Sequence, residues 1–227
     1  MVGDLVKHVA GKHAQVIGLM GEGVDPHLFR PTTKDVGQMM NADVIFYSGL
    51  MLEGAMEQAF ENAARNGKQV TAITSDLPKS YISYSAEFEG HPDPHAWNDA
   101  GAWHLCLDHI VAELSNADSE HAAEFKANAE AYREEIKKVD EYAKKVIATI
   151  PEDQRYLVTA HDAFEYFGKA YGIEVKAVSG ISTESKPGVQ DINNLVNFLV
   201  EKKVPAIFVE ATVNEADIKA VVEGAAQ

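Results

Sequence analysis

Three histidines in this chain sit where α/β architectures present functional groups, in loops that follow predicted strands. His27 stands in Val24-Asp25-Pro26-His27-Leu28-Phe29, His95 in Pro92-Asp93-Pro94-His95-Ala96-Trp97, and His161 in Val158-Thr159-Ala160-His161-Asp162-Ala163-Phe164. Asp-Pro-His therefore occurs twice, each time followed by a small or aliphatic residue and then an aromatic. Proline fixes its own φ and restricts the residue before it, so each ring is offered from a stiff turn. A nearby aspartate can accept the second imidazole N–H and set the tautomer, as metal-ligating histidines require. Stiff loops with oriented imidazoles suit a metal site better than a mobile proton shuttle. One Asp-Pro-His is only a turn; two copies together with a third post-strand histidine point to a metal.

The other candidates are weaker. His8, His13, His104, His109 and His121 fall in helical or near-helical stretches without a partner pattern and are expected to be solvated. His91, close to His95, is either an accessory ligand or a flexible-loop residue. Met39, Met40, Met51 and Met56 offer soft sulfur, but their helical spacing fits core packing. Glu210 follows a predicted strand, and either points into the cleft or partners the N-terminus of the last helix. Gly21-Glu22-Gly23 is too poor in glycine for a phosphate loop and leads into a Pro-containing turn instead of a helix. Ser179, Ser182 and Ser185 have no histidine or acid at an identifiable spacing, so a serine hydrolase is not supported. A metallohydrolase using the three histidines, with Asp162 or Glu165 as base, is the enzymatic alternative; no H-E-x-x-H helix supports it.

The elements that must position these residues follow from periodicity. Residues 14–19, 43–47 and 69–73 read as strands, with helices at about 32–41 (Thr32 or Thr33 the N-cap) and 51–66. Residues 99–115 look helical. Residues 118–150 contain no Gly or Pro and are rich in Ala, Glu and Lys, which predicts one long helix ended by Pro151. Its apolar positions are Phe125, Ala129, Tyr132, Ile136, Val139, Tyr142 and Val146. The acidic residues Glu134, Glu135, Asp140 and Glu141 alternate with lysines and read as a solvated face. Strand–helix alternation then resumes, with strands at 155–159, 173–178 and 206–209, helices at 163–171 and 189–201, and a final helix from Glu215 capped by Asn214. The pattern predicts an α/β fold: two lobes, each with a mainly parallel sheet flanked by helices, bridged by the long helix. The expected division is a lobe at 1–115, the linking helix at 116–150 and an incomplete lobe at 151–227.

Composition narrows the function. The chain has 227 residues, with 20 Lys plus Arg against 35 Asp plus Glu and a formal net charge of −15, which repels nucleic acid and anionic lipid and suits cations. No apolar run approaches the roughly 18 residues a membrane span needs. Cys106 is the single cysteine, so an internal disulfide and a multi-cysteine metal site are excluded.

Taken in order, Gly18 through His27, Ala42-Asp43-Val44 with Ser48-Gly49-Leu50, Asp93 through Trp97, Thr159 through Phe167, Gly180 through Glu184 and Ala206 through Glu210 strongly resemble the zinc/manganese solute-binding proteins of bacterial ABC importers. The resemblance implies two lobes joined by a rigid helix, no enzymatic activity, and one divalent ion per chain, Zn²⁺ first and Mn²⁺ next, passed to an ABC import permease. It implies His27 and His95 as ligands from the first lobe and His161 from the second. The family's fourth, acidic ligand would fall beyond Gln227, and the chain is expected to be trimmed at both ends. A monomer in the periplasm, or anchored outside the cell as a lipoprotein, is the expected setting. A surface adhesin is a further alternative.

Overall fold

The computed structural model describes residues 1–84, 90–183, 186–210 and 215–225. Its helices are α1 (Val2–Ala10), α2 (Thr33–Asn41), α3 (Glu57–Arg65), α4 (Ala100–Trp103), α5 (Cys106–Ala117), α6 (Ala122–Ile147), α7 (Glu165–Tyr171), α8 (Val189–Lys202) and α9 (Glu215–Ala225). The strands are β1 (Val44–Tyr47), β2 (Gln69–Ala72), β3 (Tyr156–His161) and β4 (Glu174–Ser179). β1 pairs with β2 in parallel, Val44 opposite Gln69, and β3 pairs with β4 in parallel, Tyr156 opposite Glu174. Each pair is crossed by helix, as parallel strands demand. Among the described residues, no helix is long and apolar enough to cross a membrane.

Most expected elements are present, and the departures have physical causes. Residues 14–18 take no regular structure. A strand exists only with a backbone partner, and β1 and β2 pair with each other alone among the described residues. Val16 nonetheless packs on the core, while Ile17 is 55% exposed. Residues 206–209 likewise make one parallel bridge, Thr159 to Phe208, instead of a strand. The helix expected over 51–66 starts only at Glu57: Met51 has positive φ (67°) and cannot lie in a right-handed helix, and a 3₁₀ turn at Gly54–Met56 precedes α3. The stretch 99–115 divides into α4 and α5 around His104 and Leu105. The long helix begins four residues late, since Asp118 leaves helical geometry (φ −142°, ψ 84°) and a 3₁₀ turn follows at Ser119–His121. Thr32 does cap α2, with a reciprocal capping box to Asp35. The expected cap at Asn214 lies outside the described residues.

Three apolar clusters hold the molecule together. The first joins Leu5, Val9, Leu107, Ile110, Phe125 and Ala129 with Tyr166, so a ring from the second half is buried among helices of the first. The second packs Val158 and Val178 of the β3–β4 sheet against Leu195, Leu199, Ile218 and Val221. The third lies under β1, where Ile45 meets Met39, Met56 and Phe60. Met39, Met40 and Met56 are thus packing residues; Met51 is 58% exposed.

At about 1.5 Å per residue the 26-residue α6 spans roughly 39 Å. Phe125, Ala129, Tyr132 and Ile136 face the first cluster as periodicity requires, but Val139, Tyr142 and Val146 are exposed. Midway, the buried Arg133 guanidinium fastens the helix to the α4–α5 junction by donating to the His104 carbonyl (3.0 Å) and to Asp108 Oδ1 (2.5 Å).

The loop after β1 is built around a buried carboxylate. Glu53 accepts the Ser48 and Gly49 N–H groups at 2.8 and 3.2 Å. Burial raises its pKa, and those two N–H bonds pull it back. A Cβ on Gly49 (φ 93°) would stand 2.5 Å from Thr74 Oγ1 and 2.8 Å from the Ala72 Cβ. Gly49→Ala therefore meets both a forbidden φ and a collision, and should cost at least about 1–3 kcal/mol in denaturant unfolding. An unchanged unfolding midpoint would refute this account of the loop.

Candidate metal centre

Each half of the molecule contributes to one buried group of imidazoles. His27 comes from the loop before α2, His95 from the loop before α4, and His161 is the last residue of β3. They are 9%, 1% and 6% exposed. One ligand atom from each lies within 4.8 Å of the others. His27 Nε2 and His95 Nε2 are 3.2 Å apart, and the ring centroids are separated by 5.3 Å (27–95), 5.9 Å (27–161) and 5.3 Å (95–161).

The two Asp-Pro-His turns share a backbone device. Asp25 Oδ1 accepts the His27 N–H at 2.9 Å, and Asp93 Oδ1 accepts the His95 N–H at 2.9 Å. Each aspartate thus closes a local turn around the proline and fixes where the histidine leaves the chain. Beyond that they diverge. Asp93 Oδ1 also takes the His95 ring at Nδ1 (2.7 Å), which leaves Nε2 as the lone-pair nitrogen turned toward the other two rings. Asp25 instead spends its second oxygen on Thr183 Oγ1, which donates across to it at 2.6 Å from the second half.

His161 is flanked by a carboxylate as well. Glu210 Oε2 lies 2.5 Å from His161 Nδ1 as an ion-pair contact, and Glu210 Oε1 accepts the His161 backbone N–H at 3.2 Å. His95 therefore carries a hydrogen-bonded carboxylate on Nδ1, the arrangement that orients an imidazole toward a metal, whereas His161 Nδ1 has the Glu210 carboxylate close by without a hydrogen bond to it. His27 lacks one, and burial, then the neighbouring His95, hold its pKa down to about 4. It is neutral at physiological pH, with a lone pair free to donate.

Other residues lock the loops from behind. Tyr166 OH of α7 donates to the Asp93 carbonyl (2.9 Å) and accepts the Ser83 N–H (3.0 Å). Asn98 Nδ2 donates to the Ala163 carbonyl at 2.7 Å. The Trp97 ring stands edge-on to His95 at 5.1 Å. A cavity lined by His27, Met51, Leu52, Pro92, Pro94 and Ile181 adjoins the cluster.

Comparison with known proteins agrees with this geometry. The family model described as zinc-uptake complex component A, periplasmic, matches residues 1–227. The chain belongs to this family. It is 44% identical over 224 residues to the manganese-binding lipoprotein MntA of Bacillus subtilis, covering 99% of this chain and 72% of that protein. To the zinc-binding protein TroA of Treponema pallidum it is 38% identical over 220 residues, covering 97% of this chain and 70% of the relative. The solved structure of that periplasmic zinc-binding protein superposes with a TM-score of 0.93 at 36% identity, covering 99% of this chain and 81% of the other. The expected α/β architecture is therefore that of the zinc-uptake family. Family membership also makes this a metal-binding component of an importer and not an enzyme, so the metallohydrolase alternative falls away.

Within this family member, all three predicted histidines meet. His91 is exposed and lies outside the group. Glu210, left open between two roles, lies beside His161: its signal is a position just after the 206–209 run, facing the end of β3. The five histidines expected to be solvated all have partners. His104 accepts Arg133, His109 meets Asp76 and Thr71, His8 stacks on Tyr132, and His13 and His121 stack on each other beside Glu124 and Asp118. Cys106 is buried, and burial pushes its thiol up to about 12, so it is inert at neutral pH.

The low His27 pKa sets a pH dependence. In the unfolded chain His27 takes a proton near its ordinary 6.5, whereas the folded protein holds it neutral to about 4. Stability from this residue is complete above pH 6.5 and drains away as pH falls toward 4, by up to about 3 kcal/mol. Denaturant unfolding of the metal-stripped protein at pH 7 and pH 4.5 should show that loss, and His27→Gln should make it smaller. Equal losses in both proteins would reject the assignment.

Proposed function

We propose that His27, His95 and His161 bind one divalent metal ion per chain as cargo, Zn²⁺ in preference to Mn²⁺, for delivery to an ABC import permease. The observation that carries the reading is the convergence of three buried imidazoles, drawn from both halves, to within 4.8 Å. Nitrogen donors in a compact set favour Zn²⁺ over the oxygen-seeking Mn²⁺. The relatives' names span both ions, since MntA is called manganese-binding and TroA zinc-binding. The Asp93 bond to Nδ1 orients the His95 ring, Glu210 holds the His161 backbone N–H, and burial keeps His27 neutral with a lone pair to donate.

In this reading the boundaries are a first lobe at 1–115, the connecting helix at 116–150 and a second lobe at 151–227. Support comes from the two separate sheets and from the Arg133 clasp that holds α6 to the first half. A helix so fastened resists bending, and cargo is exchanged by movement of the Asp-Pro-His loops. The protein acts as a monomer outside the cytoplasm, at the membrane surface, as suits a chain whose relatives are named periplasmic proteins and lipoproteins.

The test is a competitive titration of metal-stripped protein with Zn²⁺ and Mn²⁺, beside His161→Ala and Glu210→Gln. One tight Zn²⁺ equivalent should resist displacement by Mn²⁺. His161→Ala should weaken that equivalent by at least about 100-fold, and Glu210→Gln by about 10–100-fold, the usual cost of losing a carboxylate behind a ligand. Tight binding that survives His161→Ala would sink the cleft assignment, and tighter Mn²⁺ than Zn²⁺ would overturn the choice of cargo.

A further inference from the structure

We propose a second divalent-metal site at the start of α6, formed by His13, His121 and Glu124 and selective for Zn²⁺-like ions that accept nitrogen with oxygen. His13 lies in the turn after α1, His121 closes the 3₁₀ turn before α6, and Glu124 is in the first turn of α6. One ligand atom of each lies within 4.8 Å of the others. His13 Nε2 is 2.8 Å from Glu124 Oε2, and the two imidazole rings stack with centroids 3.9 Å apart. None of these residues belongs to the cleft, so the site stands whether or not the cleft reading does.

The decisive feature is behind His121. Its Nδ1 lies 2.6 Å from Asp118 Oδ2. That bond places the ring proton on Nδ1 and leaves Nε2 with its lone pair, the carboxylate–histidine arrangement found behind metal-bound imidazoles. Two imidazoles and one carboxylate form a known zinc donor set, with water completing the tetrahedron. With metal–ligand bonds of about 2.0–2.2 Å, tetrahedral donors stand roughly 3.3–3.5 Å apart. Reaching that value needs opening of the 2.8 Å His13–Glu124 contact and rotation of the two imidazoles out of their stack.

The site is both accessible and held in place. The His13, Glu124 and His121 side chains are 11%, 56% and 31% exposed, so an ion enters from solvent without any opening of the fold. Its backbone is already fixed, because Asn128 Nδ2 of α6 donates to the Val9 carbonyl at 3.0 Å and docks the end of α1 on the same helix. Asp118, Glu120 and Glu124 against one lysine, Lys12 at 4.0 Å from Glu124, leave the locality negative. An ion here would tie the turn after α1 to the first turn of α6.

Equilibrium dialysis of Zn²⁺ against metal-stripped protein tests the proposal, using the wild type, Glu124→Gln, His121→Ala, Asp118→Asn and His161→Ala. The wild type should hold two equivalents, the second weaker. Glu124→Gln and His121→Ala should each weaken the second by at least 10-fold while the tight equivalent stays. Asp118→Asn, which removes only the charge behind the ring, should weaken it by about 10-fold. In His161→Ala the second equivalent should persist, and Co²⁺ added to that variant should give visible absorption bands that His121→Ala abolishes in the double variant. These residues are partly exposed, and circular dichroism verifies that each variant is folded. A wild type in which no Zn²⁺ equivalent is weakened by either Glu124→Gln or His121→Ala overturns the site. Loss of the tight equivalent alone in His161→Ala reports on the cleft and leaves this result independent.

Discussion

Three imidazoles gathered out of water can share one small volume only if none of them carries a charge and their lone pairs converge. Everything near the cleft serves that requirement. Burial and the neighbouring ring keep His27 neutral, the Asp93 carboxylate on the far nitrogen of His95 fixes which of its nitrogens is left to donate, and Glu210 pins the His161 backbone N–H. The Asp-Pro-His turns meet the geometric half of the demand, since an aspartate that accepts the histidine N–H two residues on turns the chain once and leaves the side chain no choice of exit.

The same requirement explains why the second half of the molecule is bound so firmly to loops of the first. A metal cluster assembled from two halves loses its spacing if either drifts by an ångström. Tyr166 sits in the core of the first half, and its hydroxyl holds the loop that carries His95 from beneath. Asn98 reaches back to the Ala163 carbonyl beside β3, so the His95 and His161 loops are tied directly to each other. The unusual backbone at Gly49, Leu50 and Met51 belongs to the same wall, because Met51 and Leu52 line the cavity beside His27.

Much of this was legible in the residues. Asp-Pro-His written twice, with His161 after a strand, identified the three rings that meet, and the apolar runs at 43–47, 69–73, 155–159 and 173–178 located all four strands. Strandedness at 14–19 and 206–209 was misread because alternation reports a buried face and says nothing of whether a neighbouring backbone is in reach. The late start of α3 was hidden for a different reason: Met51 adopts positive φ and Gly54–Met56 form a 3₁₀ turn, neither of which the side chains advertise. Which of its two roles Glu210 takes could not be read, and the His13–Glu124 pair, 111 residues apart, was invisible, because contacts between distant segments carry no period.

The fastening of the cleft is uneven among the described residues. On the His95 edge the halves are joined through Tyr166, Ser83, Lys169 and Asn98 by a run of hydrogen bonds. On the His27 edge the comparable tie is the Thr183 hydroxyl on Asp25, whose other oxygen closes its own turn. Breaking that one charge-assisted bond costs about 1.5–3 kcal/mol and leaves the turn intact. The cleft therefore has a heavily bonded side at His95 and a lightly latched side at His27.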